Sequence, residues 1–136
     1  MTPKELTHFL QMFANENGIA REAAMDLVLD AFSAYAVKTQ GKGHGKFVTR
    51  LENGVFVAYR IWELVADDVV MEDPDLQWRV LDAVDEGFED AAPGDEVEVQ
   101  AEPIELTRTF GNWMNQYMLR NVPVVPKSDT RMRAYG

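Results

Sequence analysis

Apolar residues open the chain at helical spacing: Leu6, Phe9, Leu10 and Phe13 stand at i, i+3, i+4 and i+7, one stripe of an amphipathic helix. Thr2-Pro3-Lys4-Glu5 ahead of them is a capping box with proline at the first helical position, and Asn17-Gly18 supplies the stop. A second stripe, Ala24, Leu27, Val28, Ala31, Ala34 and Tyr35, predicts a helix from about Ala20-Arg21-Glu22, packed on the first, with Glu22 at the positive end of the helix dipole. Gln40 to Lys46 ends it, because three glycines in five residues cannot hold a helix. The period then changes. Phe47–Glu52 and Val55–Trp62 are rich in β-branched and aromatic residues on either side of Asn53-Gly54, the pair a type I′ hairpin requires. Leu64-Val65-Ala66 and Val69-Val70 continue the extended character. After Asp73-Pro74-Asp75, the residues Leu76, Val80, Leu81 and Val84 return to helical spacing, with Trp78 to one side. Ala92-Pro93-Gly94-Asp95 is a turn, and Glu96 to Ala101 alternates as a half-buried strand that Pro103 ends. From Thr107 to about Leu119, Phe110, Trp113, Met114, Tyr117 and Met118 recur at three and four and predict a last helix, broken by Val122-Pro123-Val124-Val125-Pro126.

These elements predict an α+β fold, a small antiparallel sheet head on a helical body built from the first, second and last helices. The domain is expected over 1–122, with a flexible tail over 123–136 that carries Lys127, Arg131 and Arg133. Its core is expected to include Leu6, Leu10, Phe13, Leu27, Ala31, Phe32, Tyr59, Trp62, Leu64, Val97, Val99 and Phe110.

Composition narrows what such a domain does. At 136 residues and 46% hydrophobic content the chain fills one core, and with no cysteine it has neither a disulfide scaffold nor a thiolate metal site. Thirteen Lys and Arg against 23 Asp and Glu give a net charge of −10, which argues against a partner held by phosphate neutralisation. The charge is lopsided: Asp67 to Glu102 holds 14 acids and one base, Arg79, for a net of −13, while the rest holds 12 bases and 9 acids. Such a block is most often a solvated face. The amino terminus has no signal-peptide pattern, and no apolar run approaches the roughly 20 residues of a bilayer span. A soluble, cytoplasmic protein without a membrane partner is expected.

No catalytic constellation emerges. Gly41-Lys42-Gly43-His44-Gly45-Lys46 lacks the spacing of a phosphate-binding loop and joins a helix to a strand, so it is read as a flexible connector. His8 and His44 stand apart from any metal-ligand spacing, the acids form no calcium loop, and Ser33 and Ser128 lack an elbow motif or a partnering histidine. The chain is therefore expected to be no enzyme, with no cofactor, metal or small-molecule substrate. The Met and aromatic stripe of the last helix is read as core for the most part, with a margin left over to grip an apolar helix of a partner. The alternative is a single-stranded nucleic-acid-binding module that stacks bases on Phe47, Tyr59 and Trp62 beside Lys46, Arg50 and Arg60, against which the overall charge weighs.

The order of motifs resembles a known family. Ile19-Ala20-Arg21-Glu22 is similar to a Leu-Pro-Arg-Glu helix start, and Asp30 to Tyr35 to a Glu-x-Ala-Leu-x-x-Ala helix. Arg50-Leu51-Glu52-Asn53-Gly54 resembles the hairpin, Tyr59 to Val65 the strand after it, Pro93-Gly94-Asp95-Glu96-Val97-Glu98 the Gly-Asp-x-Val-Glu motif, and Arg108 the arginine that opens the last helix. Together, from Glu5 to about Asn121, they resemble the amino-terminal domain of the transcription factor NusA. The resemblance implies a non-catalytic regulator that docks on the β flap of bacterial RNA polymerase beside the RNA exit channel and modulates pausing, termination or antitermination. It implies a partner-binding region at Arg108, Asn112, Trp113, Asn115 and Tyr117; Asn115 stands where the family carries a lysine. The RNA-binding OB-type and KH domains of the family do not follow in a chain that ends at Gly136, so little or no direct nucleic-acid binding is expected. A stand-alone docking domain of this kind would act as a phage-encoded or truncated competitor of the host factor.

Overall fold

The computed structural model describes residues 2–123. The tail expected over 123–136 therefore lies, from residue 124 on, outside the described residues.

Each helix boundary has a local cause. The Thr2 hydroxyl accepts from the Glu5 N–H at 3.1 Å, and Pro3 opens α1 (Pro3–Asn17), which ends at Gly18. α2 (Arg21–Thr39) follows and is buried on more than one side, at Ala24, Leu27, Val28, Ala31, Phe32 and Ala36. It is the central helix, packed against α1, the last helix and the hairpin, so its apolar positions spread beyond the single stripe the sequence suggested. The Gly-rich connector is a hydrogen-bonded turn rather than a loose link: Gly43 N–H donates to the Val37 carbonyl at 2.8 Å and His44 N–H to the Gly41 carbonyl at 2.9 Å.

β1 (Lys46–Glu52) and β2 (Val55–Val65) pair antiparallel around Asn53-Gly54, with Glu52 opposite Val55. Both turn residues have positive φ, 52° and 78°, as the primed turn requires. β2 is long enough to serve two edges. Its second half pairs antiparallel with β4 (Glu96–Gln100), Trp62 opposite Val97, and parallel with a short β3 (Gln77–Arg79). The helix α3 (Val80–Asp85) starts only after β3, later than the apolar spacing from Leu76 suggested. Val69 and Val70, read as extended, lie in the turn that carries the chain across to β3. α4 (Arg108–Arg120) closes the body.

Three apolar clusters hold these elements. The body cluster joins α1, α2 and α4 through Leu6, Leu10, Phe13, Val28, Phe32, Phe110, Met114 and Met118. The head cluster gathers Trp62, Leu64, Ala83 and Val97, with Trp78 stacked on Trp62 at 4.7 Å between ring centroids. A small joint of Ala36, Phe47 and Ala58 lies beside the body cluster, and the Arg60 guanidinium, over both Phe47 and Trp62, links it to the head. Of the twelve expected core residues, Tyr59 and Val99 are half-buried and the other ten are buried. Tyr59 stays near the surface because its hydroxyl donates to the Glu52 carboxylate at 2.6 Å.

Candidate docking surfaces

α4 sorts the residues singled out by the resemblance into two groups. Arg108, Asn112 and Asn115 follow one another at i, i+4 and i+7 and share one line along the helix, which Leu119, 49% exposed, continues. Arg108 and Asn112 are exposed and Asn115 is half-buried. Phe110, Met114 and Met118 form the inward line, each 1% exposed or less. Trp113 and Tyr117 sit on a separate flank, roughly a third of a turn or more from the Arg108 line. There they stack on each other at 5.3 Å, and Tyr35 meets Trp113 edge-on at 5.1 Å. Burial, with the charge of Asp30 behind it, pushes the Tyr117 phenol above its ordinary range. The methionines, read as a stripe with a spare margin, are wholly interior; the margin belongs to Trp113 and Tyr117.

The start of this helix is fixed by Thr107, whose hydroxyl accepts from the Phe110 N–H at 3.1 Å. Thr107→Ala removes that acceptor and is expected to cost about 1 kcal/mol, read by urea denaturation. A change within error of zero would mean that the Arg108 end of α4 is held by packing alone.

A second surface escaped the sequence. Between α1, α2, the tip of the hairpin and the segment from Pro103 to Leu106 runs an apolar groove of about 330 Å³. Leu6, Leu10, Val28 and Phe32 are its buried walls. Phe56 stacks on Phe32 at 4.7 Å, and the exposed Leu51 and Val55 form its lip, with Arg21 the charged group among the lining residues. Its far side is Ile104 and Leu106, only two residues before Arg108. Two signals were present in the sequence: apolar residues on both sides of a hairpin turn, and Ile104 and Leu106 spaced two apart in an extended segment, where side chains face the same way.

The hairpin residues of the nucleic-acid reading are engaged within the fold. Phe47 and Trp62 are buried, Arg50 pairs with Glu98, and Lys46 lies 3.5 Å from Glu96. The Arg60 guanidinium stacks over Trp62 at 4.2 Å and donates to the Asp75 carbonyl at 3.0 Å. The hydrogen bond from Arg50 holds the Glu98 carboxyl below the usual carboxylate range, and the bond to Glu52 raises the Tyr59 phenol. The rings and cations that reading needs are thus committed to acids, carbonyls and one another. Among the described residues there is no group of three or more histidines or carboxylates placed to hold a metal ion, and no helix is long and apolar enough to cross a membrane.

Comparison with known proteins agrees with the motif order. No curated protein matches the chain. Among solved structures, the chain is similar to the solution structure of the N-terminal domain of NusA from B. subtilis, at 22% sequence identity and a TM-score of 0.58, over 99% of this chain and 100% of that one. At that identity the likeness speaks for the fold, an α+β head and body. The family model of the NusA N-terminal domain matches residues 5–122, most of the length, and the chain accordingly belongs to the NusA N-terminal domain family.

Proposed function

We propose that this member of a family of transcription-factor domains is a non-catalytic regulator that docks on bacterial RNA polymerase, at the flap of the β subunit beside the RNA exit channel. Docking there modulates pausing, termination or antitermination and lets the chain compete with a full-length factor for the same seat. The apolar groove carries this reading. Its volume is at the small end for binding cavities, suited to the few anchor side chains of a short amphipathic helix. Arg108, close along the chain, and the Asn112 and Asn115 line then fix register at its border. Trp113 and Tyr117 support α4 from its other flank.

The test uses the full chain and purified polymerase, with affinity measured by biolayer interferometry. Leu51 and Val55 lie on the exposed lip, so Leu51→Asp and Val55→Asp leave the fold intact and are expected to weaken binding by about tenfold or more each, the loss of an anchor contact. Arg108→Glu is expected to weaken it as well. Polymerase lacking the flap tip is expected not to bind. Undiminished binding to that enzyme overturns the flap as the site, and lip variants that bind like the parent overturn the groove.

A further inference from the structure

The head carries an apolar patch that the polymerase reading leaves unused. Val70 is 83% exposed, Leu81 58%, Val69 49% and Val84 37%. Scattered exposed apolar residues are ordinary, but these four are gathered by specific bonds. Asp67 Oδ1 accepts from the Leu81 N–H at 2.9 Å, and the Arg79 guanidinium donates to the Asp67 carbonyl at 2.6 Å and to the Val69 carbonyl at 3.1 Å. The turn bearing Val69 and Val70 is thereby clasped to the start of α3. On α3, Val80 and Ala83 face the head cluster, Leu81 and Val84 take the adjoining flank, and Asp82 and Asp85 lie further round.

The surrounding charge says what covers the patch. Arg79, the one base of the block from Asp67 to Glu102, is bound to backbone carbonyls, and the ion pairs made by Lys46 and Arg50 fall at Glu96 and Glu98 on β4. Asp68, Asp82 and Asp85 have no basic partner within ion-pair distance among the described residues. We propose that Val69, Val70, Leu81 and Val84, with the carboxylates beside them, form a second docking surface whose partner is a basic amphipathic segment of another protein. Apolar side chains of that segment cover the patch, and its Lys or Arg flanks meet the acids. A second copy of this chain would set one anionic block against another, and nucleic acid or an anionic membrane would meet the same repulsion. The proposal is independent of where the chain meets polymerase.

A synthetic Leu-Lys amphipathic helix is the probe, titrated into the full chain by fluorescence anisotropy at low and at physiological salt. A Leu-Gln helix of the same pattern is the uncharged control. The Leu-Lys helix is expected to bind, and the control at least about tenfold more weakly. The double substitution Val70→Ser with Leu81→Ser keeps every charge and is expected to lower affinity by about tenfold. Asp82→Asn with Asp85→Asn is expected to lower it too and to flatten the salt dependence. All four sites are exposed, so melting temperatures should stay at the parent value. Leu51→Ser, in the groove, should leave the affinity unchanged. Serine variants that bind like the parent would reduce the attraction to charge alone, and loss of binding in Leu51→Ser would move the helix to the groove. Either result overturns the proposal, as does self-association of the chain that the serine variants abolish.

Discussion

Phe110→Ala is expected to destabilise the domain by about 3–5 kcal/mol, the range for truncating a buried aromatic. The ring is 1% exposed. It meets Phe32 at 4.7 Å and Tyr35 at 4.9 Å, both at the steep angles that favour edge-to-face contact, and Trp113 at 6.5 Å. Phe32 in turn stacks on Phe56 in the groove, so one side chain joins the helix that carries Arg108 to the wall of the proposed docking site. The vacated space cannot collapse easily, because Met114 and Met118 below it are already fully enclosed. With total stabilities of about 5–15 kcal/mol for domains of ordinary size, such a loss leaves little in reserve. Urea denaturation measures it, and near-ultraviolet circular dichroism should show the aromatic signal weakened in the remaining folded fraction. A cost below about 1 kcal/mol, the scale of a surface change, would mean that α4 is not fastened through this ring.

What the sequence disclosed and what it hid follow from the range of the interactions. The capped start of α1 and the Asn53-Gly54 turn are settled by residues no more than three or four apart, and they stand where the pattern put them; the last helix likewise begins within a residue of Thr107, at Arg108. The head was harder. β3 has three residues and pairs with Glu63 to Val65 only after a long excursion, so no local period announces it. Leu76, Val80, Leu81 and Val84 have helical spacing, yet Asp67 caps the chain at Leu81, and the short α3 buries Ala83 and half-buries Val80 while leaving Leu81 and Val84 outside. The groove was hidden for a related reason. Its walls come from Leu6, Met25, Leu51, Phe56 and Ile104, four separate parts of the chain, and each residue read singly is an ordinary apolar position. Arg108, Asn112 and Asn115 could be placed on one helical line from spacing alone; that Trp113 and Tyr117 support a different flank depended on Tyr35, far away in sequence.

Gly41→Ala is expected to be among the most damaging single-methyl additions in the molecule, and for a steric reason. A β-carbon there would lie 2.0 Å from the His44 carbonyl oxygen, 3.0 Å from the Val37 carbonyl oxygen and 3.0 Å from Cε1 of Phe47. Two of these are backbone atoms inside the hydrogen-bonded turn that ends α2, and the third belongs to the joint between body and head. The turn must therefore open, and two connections go with it. β1 begins immediately afterwards at Lys46, and Gln40, the residue before Gly41, clasps the return segment by donating from Nε2 to the Glu102 carbonyl at 2.8 Å and accepting from the Glu102 N–H at 2.9 Å. That segment leads to Ile104 and Leu106, so the added methyl should disturb the groove as well as the joint. The expected cost is about 3 kcal/mol, the upper end for overpacking. Gly43→Ala is the control. Gly43 sits at φ +89° with nothing within 4 Å of the added carbon, so only backbone strain of about 1–2 kcal/mol applies there. Denaturation of both variants, with polymerase affinity measured alongside, separates the two causes. Equal costs at the two glycines would show that the turn yields freely, and the joint between head and body would then owe its geometry to the Phe47 cluster instead.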